Sequence, residues 1–360
     1  MKKILILEQG SEYGGVNKIL SLLLESFKDS GLYDCKACFL YKAKESDAKM
    51  LNDDRVTYIH NYTYPKSRIL RLAKFLIIDS VLILRRLRKE KPDWVVSFGS
   101  LPLLQVALFK NICGYKLLVS ERNDPYLLND RIHCIIRRQY KCADRIVFQS
   151  KAARDFFSKD IQARSIIIAN PVAEPKIRWM QNTSKSIVTV GRIENKQKRG
   201  DVLINAFAHF SEYHKEYILE FIGTGTKTDV EYLKKVASEN GILDKVFFSG
   251  YSSNPIEKLL QAEVFVLSSD YEGMPNALLE AMSIGMPVIS TNYSPGGVEE
   301  IIKNESGIVI ERGDAEGLAK AMTTICDNHH FAVKCGKNAF ERMKQNYKPV
   351  IMKQWESCFE

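Results

Sequence analysis

The sequence predicts an α/β protein with two doubly wound parallel sheets, and three observations lead to this fold class. Apolar runs of strand length, such as 264–267, alternate with segments of helical periodicity along most of the 360 residues. A stretch without clear periodicity, 172–184, separates two sets of such strands. The chain is also long enough for two domains that each bury a core. We therefore predict two Rossmann-like domains, 1–172 and 173–345.

The individual strands follow from short apolar runs bounded by turn residues. In the first domain, strands are predicted near 3–8, 35–41, 56–60, 94–98, 116–120, 145–149 and 165–169. In the second domain, strands are predicted near 186–191, 217–222, 246–249, 263–267, 287–290 and 307–310. Helical segments separate most of these strands, as parallel sheets require.

Composition and charge narrow the function classes. The hydrophobic fraction of 45% and the charged fraction of 26% are those of a soluble globular protein. Residues 1–175 contain 30 Lys and Arg against 19 Asp and Glu, whereas residues 176–360 contain 22 against 24. A basic surplus suits nucleic acid, an anionic membrane surface or a phosphorylated acceptor. No helix-turn-helix, zinc-finger or aromatic RNA-binding signature accompanies it, so we predict no nucleic-acid partner.

The sequence offers little for a metal and no signal for export. It has no Asp-x-Asp motif, its six histidines form no ligand pattern, and the pair Cys35 and Cys38 has no second pair to complete a zinc site. We therefore predict no metal and no cofactor. The first residues run directly into a strand pattern without the apolar stretch of a signal peptide, so we expect a cytoplasmic location.

The stretch "SSDYEGMPNALLEAMSIGMPVIS", 268–290, carries the most informative pattern. Gly273 permits a tight turn and Pro275 suits the first position of a helix, which we predict over about 275–284. The free amides at 276–278 would then attract a phosphate. Glu272 and Glu280, as acceptor-only groups, would bind sugar hydroxyls rather than that anion. The pattern predicts a ligand with both phosphate and sugar, whereas two solvated surface glutamates are the alternative.

A glycine-rich loop, "GSEYGGVNKIL", follows the first predicted strand. Gly10, Gly14 and Gly15 would let backbone amides approach a phosphate closely at the start of a helix. Glycine loops also serve simply as turns, and the spacing here does not distinguish the two.

Cations cluster where the first strand of the second domain ends. Gly191 and Arg192 follow the strand directly, and Lys196, Lys198 and Arg199 come shortly after. Arg192 and Lys198 could neutralise a diphosphate leaving group, a task otherwise given to a divalent metal. For Lys196 and Arg199 we expect a solvated turn.

The segment 66–91, "KSRILRLAKFLIIDSVLILRRLRKEK", is predicted as one long helix. Arg71, Lys74 and Asp79 interrupt it too often for a transmembrane span, but apolar residues dominate and cations crowd both ends. It could rest on a membrane surface, or it could be a long core helix with a solvated basic end. The sequence favours neither.

Four segments in this order and spacing resemble a known family: "VGRIENKQKRGDVLINAF", "FIGTGTKTDVEYL", "VFFSGY" and "SSDYEGMPNALLEAMSIGMPVIS". They are similar to the second domain of the retaining glycosyltransferases of family 4, which have the GT-B fold. The glycine loop, "ADRIVFQSKAARDFF" and "NPV" extend the resemblance through the first domain. It implies two Rossmann-like domains that face a central cleft, with a last helix, 346–360, that packs back on the first.

The resemblance implies a role for each matching residue. Glu272 would contact the donor hexose and Glu280 the ribose hydroxyls, while Arg192 and Lys198 would hold the diphosphate. The remaining implied donor-binding positions are Gly15, Gly191, Gly223, Gly250, Tyr251, Gly273, Met274, Pro275, Asn276, Ala277 and Leu278.

One position departs from the family pattern. Many members have a histidine in the loop after the strand "YKLLVS", and Arg122 stands in its place here. An arginine cannot act as a base, but it can bind a phosphate or polarise a sugar oxygen, so we count Arg122 among the catalytic candidates. Glu121 and Asn123 are either acceptor contacts or members of a satisfied polar cluster in the loop.

The resemblance implies transfer of a hexose or N-acetylhexosamine from a nucleotide sugar, with UDP expected before GDP, to a saccharide acceptor. The anomeric configuration would be retained and no metal required. The basic first half fits a polyprenyl-diphosphate-linked acceptor, with helix 66–91 docking the enzyme to the inner face of the cytoplasmic membrane. Alternatives are a sugar-nucleotide epimerase of the same fold and a noncatalytic partner subunit.

Overall fold

The computed structural model describes residues 1–10, 15–42, 53–60, 74–127, 130–180 and 184–360. The described chain forms two compact units. The first unit consists of Met1–Ala169 and Met352–Glu360, and the second of Asn170–Ile351. The chain therefore enters the second unit at residue 170 and leaves it at 351, where the sequence analysis placed these points at 173 and 345.

The first unit contains a parallel sheet whose strands lie within three residues of their predicted bounds. They are β1 Lys2–Gly10, β2 Tyr33–Tyr41, β3 Val56–His60, β4 Trp94–Ser97, β5 Lys116–Glu121, β6 Arg145–Phe148 and β7 Ser165–Ile167. Among the described residues the strand order is β3-β2-β1-β4-β5-β6-β7. The order reverses direction between β1 and β4, so the sheet is doubly wound, as predicted.

Helices connect these strands. They are α1 Gly15–Ser30, α2 Ser80–Glu90, α3 Leu103–Cys113, α4 Arg131–Arg138, α5 Lys151–Asp155 and α6 Lys159–Ala163. A short 3₁₀ turn, Gln139–Cys142, follows α4. The core between the helices and the sheet is built from apolar strand residues that are buried on both faces, which is why these strands appear in the sequence as continuous apolar runs.

The predicted helix 66–91 is not one α-helix. Residues 66–73 lie outside the described residues, and the rest begins with a π-helical turn, Phe75–Asp79, before α2. Asp79 is fully buried, accepts a hydrogen bond from Tyr41 Oη at 2.9 Å and lies 2.7 Å from His60 Nε2. The two hydrogen-bonding partners hold the Asp79 carboxylate in the interior. This gives a physical reason for the wider π-helical turn, because regular α-helical periodicity would place the side chain differently.

The last residues of the chain belong to the first unit. Trp355 and Phe359 are buried, and Phe359 packs edge to face on Phe27 and Trp94. Lys2 Nζ donates a hydrogen bond to the carbonyl of Phe359 at 2.8 Å. The C-terminal residues thus complete the core on which β1 and β4 lie.

The second unit contains another parallel sheet. Its strands are β8 Ser186–Val190, β9 Ile218–Ile222, β10 Val246–Gly250, β11 Val264–Leu267, β12 Val288–Thr291 and β13 Ile308–Ile310. Within the described ranges the order is β10-β9-β8-β11-β12-β13, which reverses direction between β8 and β11. The predicted class, two doubly wound α/β domains, is confirmed.

Helices also lie between the strands of this sheet. They are α7 Asn195–Lys198, α8 Gly200–Ser211, α9 Lys227–Glu239, α10 Pro255–Gln261, α11 Asn276–Ser283 and α12 Val298–Ile301. After β13 the chain continues with α13 Ala315–Asp327, α14 His329–Met343 and α15 Lys348–Ser357, and from Met352 onward it belongs to the first unit. Short 3₁₀ turns lie at Leu243–Lys245 and Lys344–Asn346. In the part of the chain that the structure describes, none of the helices is both long and apolar enough to span a bilayer.

The reversal of strand order positions the candidate site. In open α/β sheets, the loops that follow two strands on either side of the reversal diverge and leave a crevice beyond their carboxyl ends. In the second sheet these loops follow β8 and β11, and they contain the cations and the glutamate that the sequence indicated.

Candidate functional site

Two glycines form the floor of the crevice in the second unit. The amide of Gly191 donates to the carbonyl of Ile222 at 3.0 Å, which brings the ends of β8 and β9 together. Gly223 has a φ of 150°, and a Cβ built on it would lie 1.8 Å from the carbonyl oxygen of Gly191. No side chain fits such an approach, so the identity of Gly223 follows from the backbone geometry.

An ion pair joins the two loops across this floor. Lys198 Nζ lies 2.5 Å from Glu272 Oε1, and Ser269 Oγ donates to the same oxygen at 2.6 Å. Glu272 and Ser269 are buried, and Lys198 is partly exposed. The structure therefore brings two of the predicted catalytic residues into direct contact through a charge-assisted hydrogen bond.

The loops are also tied through their backbones. The amide of Asp270 donates to the carbonyl of Gln197 at 2.9 Å, and Ser268 Oγ donates to the carbonyl of Lys198 at 2.7 Å. These bonds fix the end of α7 against the segment that follows β11. The Lys198 and Glu272 pair thus lies on a rigid support rather than on two independent loops.

Sequence reasoning missed Gln197, which lies between the predicted residues. Its Nε2 donates to the carbonyl of Tyr271 at 3.0 Å and lies 3.5 Å from Glu272 Oε2. Its Oε1 accepts from Arg192 Nη2 at 3.3 Å. The side chain of Gln197 therefore connects Arg192 to the Glu272 loop. A glutamine within a charged turn carries no distinctive pattern, so only the fold reveals it.

Arg192 stands at the rim of the crevice. Its side chain is 73% exposed, and its Nη1 lies 3.4 Å from Glu194 Oε2. Ion pairs with this exposure contribute little to stability because water screens them. The guanidinium can therefore change partner at little cost when an anion arrives.

Arg199 corrects an expectation, because it is not a solvated turn residue. It forms ion pairs with Asp201 and Asp270, each at 3.0 Å. The hydrogen bond to Asp201, followed by that to Asp270, raises the pKa of the guanidinium above its ordinary value. Arg199 adopts a left-handed φ of 48° between α7 and α8, and its two carboxylate partners hold it there. Lys196 is exposed, as expected.

The start of α11 is the predicted anion site. Pro275 occupies the N-cap and the helix begins at Asn276, one residue later than predicted. The amide of Leu279 donates to the carbonyl of Pro275, so the amides of Asn276, Ala277 and Leu278 precede that first helical bond. Amides in this position, together with the helix dipole, favour a negatively charged ligand.

Comparison with known proteins identifies this unit. The family model described as glycosyl transferases group 1 matches residues 174–342, which include every element of the crevice. Residues 174–342 are a glycosyltransferase group 1 domain. The resemblance drawn from the sequence motifs is thereby confirmed for this domain.

Three similar proteins extend the comparison beyond the group 1 domain. A Campylobacter jejuni enzyme, GalNAc-α-(1→4)-GalNAc-α-(1→3)-diNAcBac-PP-undecaprenol α-1,4-N-acetyl-D-galactosaminyltransferase, is 24% identical over 88% of this chain and 87% of its own length. The solved structure of Anabaena HepE in complex with UDP and glucose is 16% identical with a TM-score of 0.81, covering 99% of both chains. An uncharacterized glycosyltransferase of Haemophilus influenzae is 25% identical over 59% of this chain, and the match spans only 60% of that relative. The likeness to HepE shows that the fold of the whole chain is that of GT-B proteins.

The other predicted positions in the group 1 domain lie along the same carboxyl edge. Gly250 ends β10 with a φ of 71° and is bridged to Gly223, and Tyr251 after it is 66% exposed. Gly273 and Met274 lie between β11 and α11. Glu280 is half-buried on α11. Their proposed contacts with a nucleotide remain predictions.

Asn170 is a second residue that sequence reasoning missed. It is buried just before the group 1 domain begins, and its side chain donates to the loop that precedes α11. The motif "NPV" marked this position only as part of the family resemblance.

Residues of the first unit lie outside the group 1 domain. Gly15 begins α1 after Gly14, which lies outside the described residues. Arg122 is buried with its guanidinium 5.9 Å from the ring of Trp355, and burial lowers the pKa of Arg122 to about 9, so it stays cationic at neutral pH. Its catalytic role remains a prediction.

Glu121, beside Arg122, belongs to a polar cluster with partners of its own. It accepts hydrogen bonds from Arg137 Nε at 3.2 Å, Tyr140 Oη at 3.0 Å and the amide of Asn123 at 3.2 Å. These bonds favour the satisfied polar cluster over a contact with acceptor, the two alternatives that the sequence left open.

Among the residues that the structure describes, no group of three His, Cys, Asp or Glu side chains could hold a metal ion.

Proposed function

We propose that this chain transfers a hexose or an N-acetylhexosamine from a UDP-sugar to a saccharide acceptor. The observation that carries the proposal is the Lys198 and Glu272 pair at the crevice. Gln197 connects this pair to the exposed Arg192, and α11 begins four residues after Glu272. These groups offer positive charge for a diphosphate and a carboxylate for sugar hydroxyls within one site. The similar protein HepE forms a complex with UDP and glucose, which supports UDP as the nucleotide here.

The charge that develops on the leaving UDP would be stabilised by Arg192, Lys198 and the amides of Asn276 to Leu278. Preorganised cations and amides stabilise such charge strongly because they need no reorganisation during the reaction. Lys198 would exchange part of its bond to Glu272 for a phosphate oxygen, which leaves Glu272 to accept from a hydroxyl of the donor hexose. Glu280 would accept from the ribose hydroxyls. In this proposal the two cations stand where other enzymes place a divalent metal.

Retention of the anomeric configuration is proposed from the resemblance to the retaining family 4 enzymes. We also propose that the second unit binds the donor and the first unit the acceptor. The name of the Campylobacter relative, an enzyme whose saccharide acceptor is linked to undecaprenyl diphosphate, supports a polyprenyl-diphosphate-linked acceptor here. Arg122 would then polarise an oxygen or bind a phosphate on the acceptor side.

An exposed stripe on the first unit supports attachment to a membrane. Leu76, Ile77, Ile78 and Val81 are exposed at the π-helical turn and the start of α2, while Ile83 and Leu87 of the same helix are buried. Arg85, Arg88 and Lys89 are exposed further along. An apolar patch followed by cations fits a bilayer with anionic headgroups. We propose that this stripe holds the enzyme at the inner face of the cytoplasmic membrane.

Nucleotide binding tests the donor site first. Purified protein is melted with UDP, GDP, ADP, CMP or NAD, beside the variants Glu280→Ala and Arg192→Ala. At about a hundred times the dissociation constant, a ligand adds roughly 2.7 kcal/mol of stability, enough for a shift of a few degrees. We expect a shift with UDP that both variants reduce. No shift with any nucleotide, for a protein that melts cooperatively, contradicts the proposal.

Product analysis tests the reaction. With a UDP-sugar and a polyprenyl-diphosphate-linked saccharide, we expect UDP and an extended lipid-linked glycan in equal amounts. Conversion of the UDP-sugar without acceptor would instead indicate an epimerase, and binding without turnover a noncatalytic subunit.

Vesicle binding tests the membrane stripe. Arg85→Ser with Arg88→Ser should weaken sedimentation with anionic vesicles and leave UDP affinity unchanged. A matched control, Lys227→Ser with Lys235→Ser, removes two exposed cations from the second unit and should change neither. Equal sedimentation of wild type and the arginine variant contradicts attachment through this stripe.

A further inference from the structure

Asn170 is the first residue of the second unit, where the chain crosses over from the first. It is only 3% exposed, yet its side chain carries an amide with two N–H donors and one acceptor. A buried amide is costly unless hydrogen bonds replace its lost water. The partners of Asn170 therefore determine which part of the unit it stabilises.

The hydrogen bonds of Asn170 converge on the loop before α11. Its Nδ2 donates to the carbonyl of Met274 at 3.2 Å and to Oδ1 of Asn276 at 2.8 Å. Its backbone amide lies 3.0 Å from Met274 Sδ. The bond to the Met274 carbonyl orients the peptide that leads into Pro275, and the bond to Asn276 holds the side chain of the first helical residue.

The other side of Asn170 is tied to the returning chain. Its carbonyl accepts from Asn346 Nδ2 at 3.3 Å. The amide of Val172 donates to the carbonyl of Asn346 at 2.9 Å, and the amide of Lys348 donates to the carbonyl of Val172 at 3.0 Å. The chain enters the second unit at Asn170 and leaves it after residue 351. Asn170 thus links the loop before α11 to the segments close to both of these points.

We propose that Asn170 is a positioning residue for the nucleotide-sugar site. This inference rests on the proposed function, because it assigns to α11 the binding of a diphosphate. Asn170 holds the Met274 peptide and the Asn276 side chain so that the amides of Asn276, Ala277 and Leu278 point at the phosphates. Amides that are already oriented lose less entropy on binding, so the contact raises affinity without touching the ligand.

Calorimetry with UDP as the probe tests this role. We expect Asn170→Ala to raise the UDP dissociation constant and the donor KM about tenfold, with little change in acceptor KM. Asn170→Asp, of nearly equal volume, should weaken UDP at least as much, because a carboxylate cannot donate to the Met274 carbonyl. The double variant of Asn170→Ala with Asn276→Ala should have about the same UDP dissociation constant as the single variant with the lower UDP affinity, since both changes act on the same loop.

Asn346→Ala is the matched control. It removes a buried asparagine that also bonds to Asn170, but it leaves the bonds to Met274 and Asn276 in place. We expect its melting temperature to fall while its UDP dissociation constant stays within about twofold of wild type. If Asn170→Ala and Asn346→Ala lower stability alike and neither changes UDP affinity, Asn170 is structural only and the inference is wrong.

Hydrogen exchange on the wild-type protein provides a test that needs no variant. UDP should slow amide exchange at Asn170 and Val172 as well as at 276–279, because the two segments are bonded together. Protection confined to 276–279 would overturn the inference. Absence of UDP binding in wild type would instead contradict the proposed function, so the two failures are distinguishable.

Discussion

The carboxyl edges of the two sheets carry similar charged residues but use them differently. In the second unit, the side chains of Arg192 and Lys198 are 73% and 24% exposed, and each pairs with a carboxylate at the crevice. In the first unit, the side chains of Glu121 and Arg137 are 4% and 9% exposed and bond to each other. Glu8 at the end of β1 is buried as well and accepts from the amide of Phe98.

This difference in exposure indicates whether the charged side chains of each edge can bind a ligand or only other residues of the protein. The exposed pair of Arg192 and Glu194 can exchange partners readily, because water screens it and little energy is lost when it separates. In the other pair Glu272 is buried, but Lys198 is still in contact with water. Buried pairs cannot be separated without leaving an uncompensated charge in the interior. The edge of the second unit is therefore suited to binding an anion, whereas the buried groups of the first hold its own loops in place. Changes at the first kind of site should affect activity, and changes at the second should affect stability.

Glu272→Gln should show the largest effect, a loss of activity. The substitution keeps the shape of the side chain but removes the charge that pairs with Lys198 and that would accept from the donor sugar. We expect turnover to fall about a hundredfold or more. The urea midpoint should fall less than for a fully buried pair, because Lys198 is 24% exposed and keeps contact with water. Initial rates with UDP-sugar and acceptor measure this, with Glu299→Gln on the exposed face of α12 as control. A variant that retains full turnover would break the comparison.

Arg137→Ala should show the opposite pattern. It leaves Glu121 buried without its cation, and removing one partner of a buried pair costs about 3–5 kcal/mol. Urea unfolding should reveal this loss, while UDP affinity, measured by calorimetry, stays at the wild-type value. Arg138→Ala removes an exposed arginine of the same helix and should leave the unfolding curve nearly unchanged. Loss of UDP binding in a folded Arg137→Ala protein would contradict the separation of roles.

Gln197→Ala sharpens the comparison within the second unit. It removes the bonds that connect Arg192 to the Glu272 loop, each worth about 1 kcal/mol. We therefore expect turnover to fall about fivefold if one bond affects the reaction and about thirtyfold if two do. Gln197→Glu should lose more, because a second carboxylate would lie beside Glu272. Steady-state rates compare both with Lys196→Ala, an exposed neighbour whose removal should have no effect. Equal rates for all three variants would exclude a role for Gln197.

Glu8→Gln should show the smallest effect, visible as a pH dependence. Burial raises the pKa of Glu8 above its ordinary value, so the folded state holds this proton more tightly than the unfolded state. The free energy of unfolding contributed by Glu8 therefore falls as pH rises from about 4.5 through the folded-state pKa. Glutamine does not titrate, so the stability of Glu8→Gln relative to wild type should increase across that window. Urea unfolding between pH 4 and 8, with exposed Glu25→Gln as control, measures the slope; a parallel pair of curves would contradict it.

Local pattern allowed much of the fold to be predicted. Each predicted strand was found within three residues of its position because a parallel strand buried on both faces must be a short continuous apolar run. Gly223 was predicted from a motif, and the structure supplies the reason in its close approach to Gly191. The helix 66–91 was predicted less well, because the buried partners of Asp79 come from distant strands that helical periodicity does not reflect.

The sequence by itself determined the two-sheet α/β class, the position of each strand and the candidate residues Arg192, Lys198, Glu272 and Glu280. The tertiary structure alone decided which of them touch, and it added Gln197, Ser269 and Asn170. Gln197 reaches a residue 74 positions away, and Asn170 reaches residues 104 and 106 positions away. The physical reason is the sequence separation of the interacting residues. Burial and backbone conformation produce a periodic pattern of apolar residues within each element, which can be recognised in the sequence. Contacts across the sheet depend on strand order, which no local pattern encodes.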